Sequence, residues 1–159
     1  MSLDEDDDEQ RLCACLCAAL EPFDLPWRVA PEALAALADS EGAGRARALA
    51  ELVNALAGAD AAQGVIVLDD LHRVASDGVL GLLEGLVERL PAQWSVLLSS
   101  RVLPALPLAR WRAAGELVLF GQDQLAFSAD EAAALAAAEG AQARATELFQ
   151  RTRGWPRAA

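Results

Sequence analysis

Residues 65–70 read Val-Ile-Val-Leu-Asp-Asp, an aliphatic, mostly β-branched run that stops on two carboxylates. A short apolar run without polar alternation suits a strand buried on both faces, as in a parallel sheet covered by helices. The flanking pattern agrees. Val79, Leu83, Leu86, Val87 and Leu90 recur at helical spacing until Pro91 stops them. Ser95-Val96-Leu97-Leu98-Ser99 is a second strand candidate, residues 101–115 hold a short helical piece around Trp111, and residues 116–120 form a third strand candidate. Strand, helix, strand, helix, strand at these intervals predicts right-handed crossovers and parallel pairing, hence an α/β fold.

The first sixty residues read as helical. The acidic run at residues 4–9 precedes an apolar stretch at 12–20, and acids in a first helical turn face the positive end of the helix dipole. That makes the run a helix start; a cation site is the sharper alternative. Pro22 and Pro26 are expected to end this helix. Residues 31–38 read as a helix with Pro31 in its first turn, and Leu49, Leu52, Val53 and Leu56 lie on one face of another. Beyond Gly121 the pattern is helical again. Ser128 with Glu131 three residues on is a capping box, and a last helix is expected over 143–152.

Composition narrows the function. The 159 residues are enough for one domain that removes roughly two thirds of its unfolded surface from water. All 13 basic residues are Arg, so the chain holds neither a P-loop Lys nor a Schiff-base Lys. The missing Lys, and an acid pair that is not on the first strand, exclude a phospho-receiver domain. A formal net charge of −11 argues against a nucleic-acid clamp. No run reaches the roughly 18 apolar residues of a membrane span and no leader-like segment opens the chain, so a cytoplasmic protein with no membrane partner is expected. Cys13, Cys15 and Cys17 lack disulfide or C-x-x-C spacing. Cys13 and Cys17 share a helical face, where they read as small buried hydrophobes, with metal binding as the alternative.

In open parallel sheets, ligands bind outside the carboxyl ends of the strands. Two predicted strands end there in polar groups, Asp69-Asp70 and Ser100-Arg101. A hard cation such as Mg²⁺ takes one or two carboxylates plus phosphate and water, and a second acid can orient a water for attack on a phosphoryl group. Arg101 suits phosphate charge, and His72 lies within reach of the same cleft. The plain alternative is that Asp and Ser serve as turn and cap residues at strand ends, with His72 filling a loop.

Residues 65–72, Val-Ile-Val-Leu-Asp-Asp-Leu-His, resemble the Walker B segment of the STAND ATPases, specifically the MalT-like branch of large ATP-binding LuxR-type transcriptional regulators. Four further segments agree in order. Ser2-Leu3-Asp4-Glu5 with Asp6 resembles the segment closing the strand after the P-loop helix, and Leu97-Leu98-Ser99-Ser100-Arg101 resembles the sensor strand. Gln124-Leu125-Ala126-Phe127-Ser128 with Glu131 is similar to the opening of the helical subdomain, and Gly154-Trp155-Pro156 to the family's GWP turn. The resemblance spans nearly the whole chain.

It implies a truncated P-loop NTPase-like three-layer parallel sheet over residues 1–121, followed by the start of a helical subdomain over 122–159. It also implies catalytic roles for Asp70 on the water and Arg101 on the γ-phosphate, Mg²⁺ on Asp69, and Pro156 against the adenine. The P-loop would precede residue 1, and the inducer-sensing and DNA-binding domains would follow residue 159. Arg157 stands where the family carries a small or apolar residue.

The chain is thus expected to be a piece of an ATP-dependent transcriptional regulator whose full-length parent is a slow ATPase using ATP and Mg²⁺. This chain alone is expected to be inactive, with neither cofactor bound and DNA reached only through the missing domain. In the family, the P-loop strand lies between the sensor strand and the last strand. Without it, the strand at 116–120 either closes the gap or leaves edges exposed, so a rearranged sheet or a homo-oligomer through exposed sheet edges is expected. The alternative is a stand-alone P-loop-less interaction module that regulates a related ATPase. A carboxylate hydrolase using Asp69, Asp70 and His72 is the weakest reading, because no nucleophile sits beside a base.

Overall fold

A computed structural model describes residues 1–4, 7–40, 42–60, 63–140 and 145–155. The chain divides into two compact units, Met1–Pro107 and Leu108–Ala159.

The first unit is built from four helices and a small sheet: α1 Glu9–Leu20, α2 Pro31–Ala38, α3 Ala43–Ala57, β1 Gly64–Leu68, α4 Asp77–Arg89 and β2 Trp94–Leu98. Each helix follows from its apolar face. Leu12, Cys13, Leu16, Cys17 and Leu20 of α1 are buried, as are Val79, Leu82, Leu83 and Leu86 of α4. The helices pack in a cycle, α1 on α2, α2 on α3, α3 on α4 and α4 back on α1. Its small-residue core joins Cys13 and Cys17 to Leu34, Ala35, Ala38 and Ala48.

The acidic run acts as a helix start. Asp8 caps α1 by accepting the Arg11 N–H at 2.7 Å. The buried Asp7 carboxylate accepts the Asp4 N–H and pairs with the Arg11 guanidinium at 3.0 Å. Glu5 and Asp6 lie outside the described residues. Pro22 does not end α1 abruptly. It occupies the first turn of a 3₁₀ segment, Glu21–Phe23, that continues from the helix.

β1 and β2 are parallel, in the register Gly64↔Trp94 through Leu68↔Leu98, with α4 as the crossover. The N-terminal residues extend this pairing on the far side of β1. The Leu3 N–H donates to the Asp69 carbonyl at 2.9 Å, and the Asp69 N–H to the Met1 carbonyl at 2.8 Å. Trp94 fixes the floor of the sheet. Its indole N–H donates to the Leu56 carbonyl at 3.0 Å, its ring meets Phe23 edge-on at 5.1 Å, and its face lies where a Gly64 side chain would stand.

The sheet differs from expectation. β1 is not buried on both faces, since Gly64, Ile66 and Leu68 are buried while Val65 and Val67 are 59% and 46% exposed. Helices cover one face of the sheet and leave the other open. The protein is mixed α/β with a small parallel sheet, and a three-layer sheet is not formed among the described residues. Residues 116–120 are likewise not a strand. They have strand-like side chains but no ladder partner, and strand propensity takes effect only through neighbours.

The second unit contains α5 Leu108–Ala113, α6 Gln122–Leu125, α7 Ala129–Ala138 and α8 Ala145–Thr152. Ser128 caps α7 in the expected box: Glu131 N–H donates to the Ser128 hydroxyl, and the Glu131 carboxylate accepts the Ser128 N–H at 2.8 Å. This holds Glu131 below the ordinary carboxylate range, through the Ser128 N–H first and its hydroxyl second. α7 packs on α8. After α8, Gly154 takes a left-handed φ of 81° and accepts the Phe127 N–H at 2.9 Å. A Cβ at Gly154 would collide with the Phe127 backbone, so this turn requires glycine.

Candidate functional site

The register that pairs Leu68 with Leu98 brings the next residues, Asp69 and Ser99, side by side at the C-terminal ends of the two strands. The Ser99 hydroxyl donates to Asp69 Oδ1 in a short hydrogen bond. The Asp70 N–H donates to the same Oδ1 at 3.0 Å and reaches Ser99 Oγ at 3.2 Å. Both donors favour the charged carboxylate, so Asp69 is held below the ordinary carboxylate range, chiefly by Ser99. Asp69 is solvent-exposed and its Oδ1 is committed to this network; among the described residues no hydrogen bond uses Oδ2.

Asp70 adopts the left-handed conformation, φ 59° and ψ 34°. Asp tolerates this region better than most side chains. The turn leads into a 3₁₀ segment, Leu71–Arg73, whose Leu71 is buried and donates its N–H to the Ser99 carbonyl at 2.9 Å. His72 follows, with Nδ1 at 3.7 Å from Asp70 Oδ1. That nitrogen is buried and has no hydrogen-bond partner among the described residues.

The structure therefore brings Asp69, Asp70 and His72 to one strand end. Arg101 lies in the bend after β2, exposed, and among the described residues it forms no ion pair or hydrogen bond with either aspartate. Pro156 lies outside the described residues. Ser99 is the group that sequence reasoning missed. The sequence marks it as a strand end within the sensor-like segment and gives it no role, because partnership with Asp69 depends on register, which no local pattern encodes.

The donor set fits a Mg²⁺ site of the kind completed by phosphate and water, because one free carboxylate oxygen on Asp69 and a second acid meet that requirement. Among the described residues no three His, Cys, Asp or Glu side chains gather as a closed metal site. Cys13 and Cys17 are buried and Cys15 half-buried, all as free thiols, and the Cys13 thiol is pushed up by its hydrogen bond with Cys17 and by burial. A groove of about 460 Å³ beside α1, lined by Cys17, Glu21, Asp24, Trp27 and Glu32, contains none of the predicted site residues. Among the described residues no helix is long and apolar enough to cross a membrane.

The chain matches no protein-family model, and no curated protein is similar to it in sequence.

Proposed function

We propose that this chain is the Walker B and sensor part of the nucleotide-switch domain of an ATP-dependent, MalT-like transcriptional regulator. The observation that carries the reading is the pair Asp69-Asp70 leaving a parallel strand beside Ser99 of its neighbour. A hydroxyl donor and a backbone N–H that keep one carboxylate ionised suit a metal ligand. The next acid, turned by its left-handed backbone, suits a water-orienting role.

The sheet adds support. The order of extended segments is residues 1–3, then β1, then β2, followed by an open edge. Residues 117–120 are apolar and belong to no sheet among the described residues. A P-loop strand between β2 and that segment would complete the three-layer sheet of such a domain. In this reading Asp69 serves Mg²⁺, Asp70 holds the attacking water, Arg101 reads the γ-phosphate and Pro156 lies against the adenine. Bound Mg²⁺ would supply neutralisation of phosphate charge. Nucleotide affinity would rest on the P-loop backbone and its Lys, which this chain lacks.

Sequencing the coding region on both sides tests the reading. An in-frame G-x-x-x-x-G-K-[ST] motif upstream is expected, and an in-frame stop directly ahead of Met1 overturns it. In the longer product, Asp70→Asn is expected to keep ATP binding and abolish turnover. Mg-ATP is expected to give no calorimetric signal with the present chain, and sub-micromolar binding would contradict the dependence on a P-loop.

A second reading, a stand-alone interaction module acting on a related ATPase, is favoured by the open sheet face. Val65, Val67 and Leu97 are each at least 46% exposed there.

A further inference from the structure

Among the described residues β2 has one sheet neighbour, β1, and no strand pairs with its other edge. The direction of its backbone groups follows from the pairing. Gln93 accepts from Gly64 and Ser99 donates to Leu68, so alternate residues 93, 95, 97 and 99 face β1. Val96 and Leu98 therefore point their N–H and carbonyl groups away from it, and no partner meets them among the described residues.

The same chain carries a matching element. Residues 116–120, Glu-Leu-Val-Leu-Phe, are four apolar residues behind one acid, a segment of high strand propensity equal in length to β2. Only the Glu116 N–H is engaged, with the Trp111 carbonyl at 2.9 Å; the backbones of residues 117–120 make no hydrogen bond among the described residues. Val118 is 75% exposed and Phe120 62%. An unpaired edge and an unpaired strand-forming segment are complementary, and leaving both in water invites pairing between chains.

We propose that two copies of this chain exchange these elements, residues 116–120 of each adding as a strand to the open edge of β2 in the other. Charge sets the direction. Arg101 follows β2 and has no ion-pair partner among the described residues, while Glu116 opens the segment. Antiparallel addition brings this cation and this anion to the same end. The exchange is reciprocal, so it closes as a two-fold dimer rather than growing as a fibre. It requires only the edge and the segment, and stands apart from the ATPase reading.

Light scattering on the purified chain at high micromolar concentration is expected to give the mass of two chains. Hydrogen exchange is expected to show the Val96 and Leu98 amides slowed relative to dilute protein. Val118→Pro combined with Leu119→Pro removes a ladder N–H whichever alternate residues face β2, and is expected to give a monomer with fast Val96 and Leu98 amides and unchanged far-ultraviolet dichroism. Val118→Thr keeps the backbone and the strand propensity, and is expected to remain dimeric. A monomeric parent chain, a dimeric Val118→Pro/Leu119→Pro variant or a monomeric Val118→Thr variant would each overturn strand exchange.

Discussion

The hydroxyl of Ser99, one residue past β2, donates to the carboxylate of Asp69, one residue past β1. Thirty residues apart in sequence, the two meet because the parallel register carries on beyond the last paired positions, Leu68 and Leu98. The contact orients one carboxylate oxygen and leaves the other free, so this strand end is more ordered than a pair of exposed acids would be.

Ser99→Ala removes the main donor that keeps Asp69 charged. The titration of Asp69 is expected to move up towards the ordinary carboxylate range, read from the Asp69 carboxyl carbon by NMR. The sign follows from linkage. A carboxyl whose folded pKa is depressed contributes stability above its unfolded pKa, and loses it as pH falls through the folded value. The variant should therefore lack most of this stabilisation at neutral pH, and the stability gap between parent and variant should narrow as pH falls through the depressed range.

Asp70 sits at φ 59°. Asp70→Val should cost at least about 1–2 kcal/mol, the usual penalty for forcing a side chain into the left-handed region. Asp70→Gly should leave stability nearly unchanged, because glycine adopts this conformation freely. Urea denaturation of the two variants separates the backbone requirement at this position from the carboxylate's chemistry.

Gly64 lies directly under the Trp94 ring, where a methyl group would overlap the indole. Trp94 cannot yield easily, because its N–H is tied to Leu56 and its ring to Phe23. Gly64→Ala should therefore destabilise the first unit by about 1–3 kcal/mol, the range for overpacked cores. A lower denaturation midpoint with unaltered slope checks it.

In the second unit, Ser128→Ala deletes the hydroxyl that caps α7. The loss should be about 1 kcal/mol, seen as reduced helicity and faster amide exchange at Glu131. Glu131 should also titrate closer to the ordinary carboxylate range, since one of its two Ser128 donors is gone.

Local signals read well where chemistry acts over one or two helical turns. The helix over 31–38, the apolar face of α4, the Ser128 box and the two aliphatic strands are all visible in side-chain spacing, because capping and amphipathic burial depend on residues three or four apart. Asp69-Asp70 at a strand end was legible for the same reason. Residues 116–120 misled because their strand-like composition is real, yet a strand exists only when another backbone completes its hydrogen bonds.

The remaining features are decided in three dimensions. Ser99 as the partner of Asp69, the left-handed turn at Asp70 and the bare face of β1 all depend on register and on which elements cover the sheet. Residue order alone carries the periodicity of each element and the chemistry at its ends. Which ends meet depends on the free energy of packing distant segments against one another, and that is set only when the chain has folded.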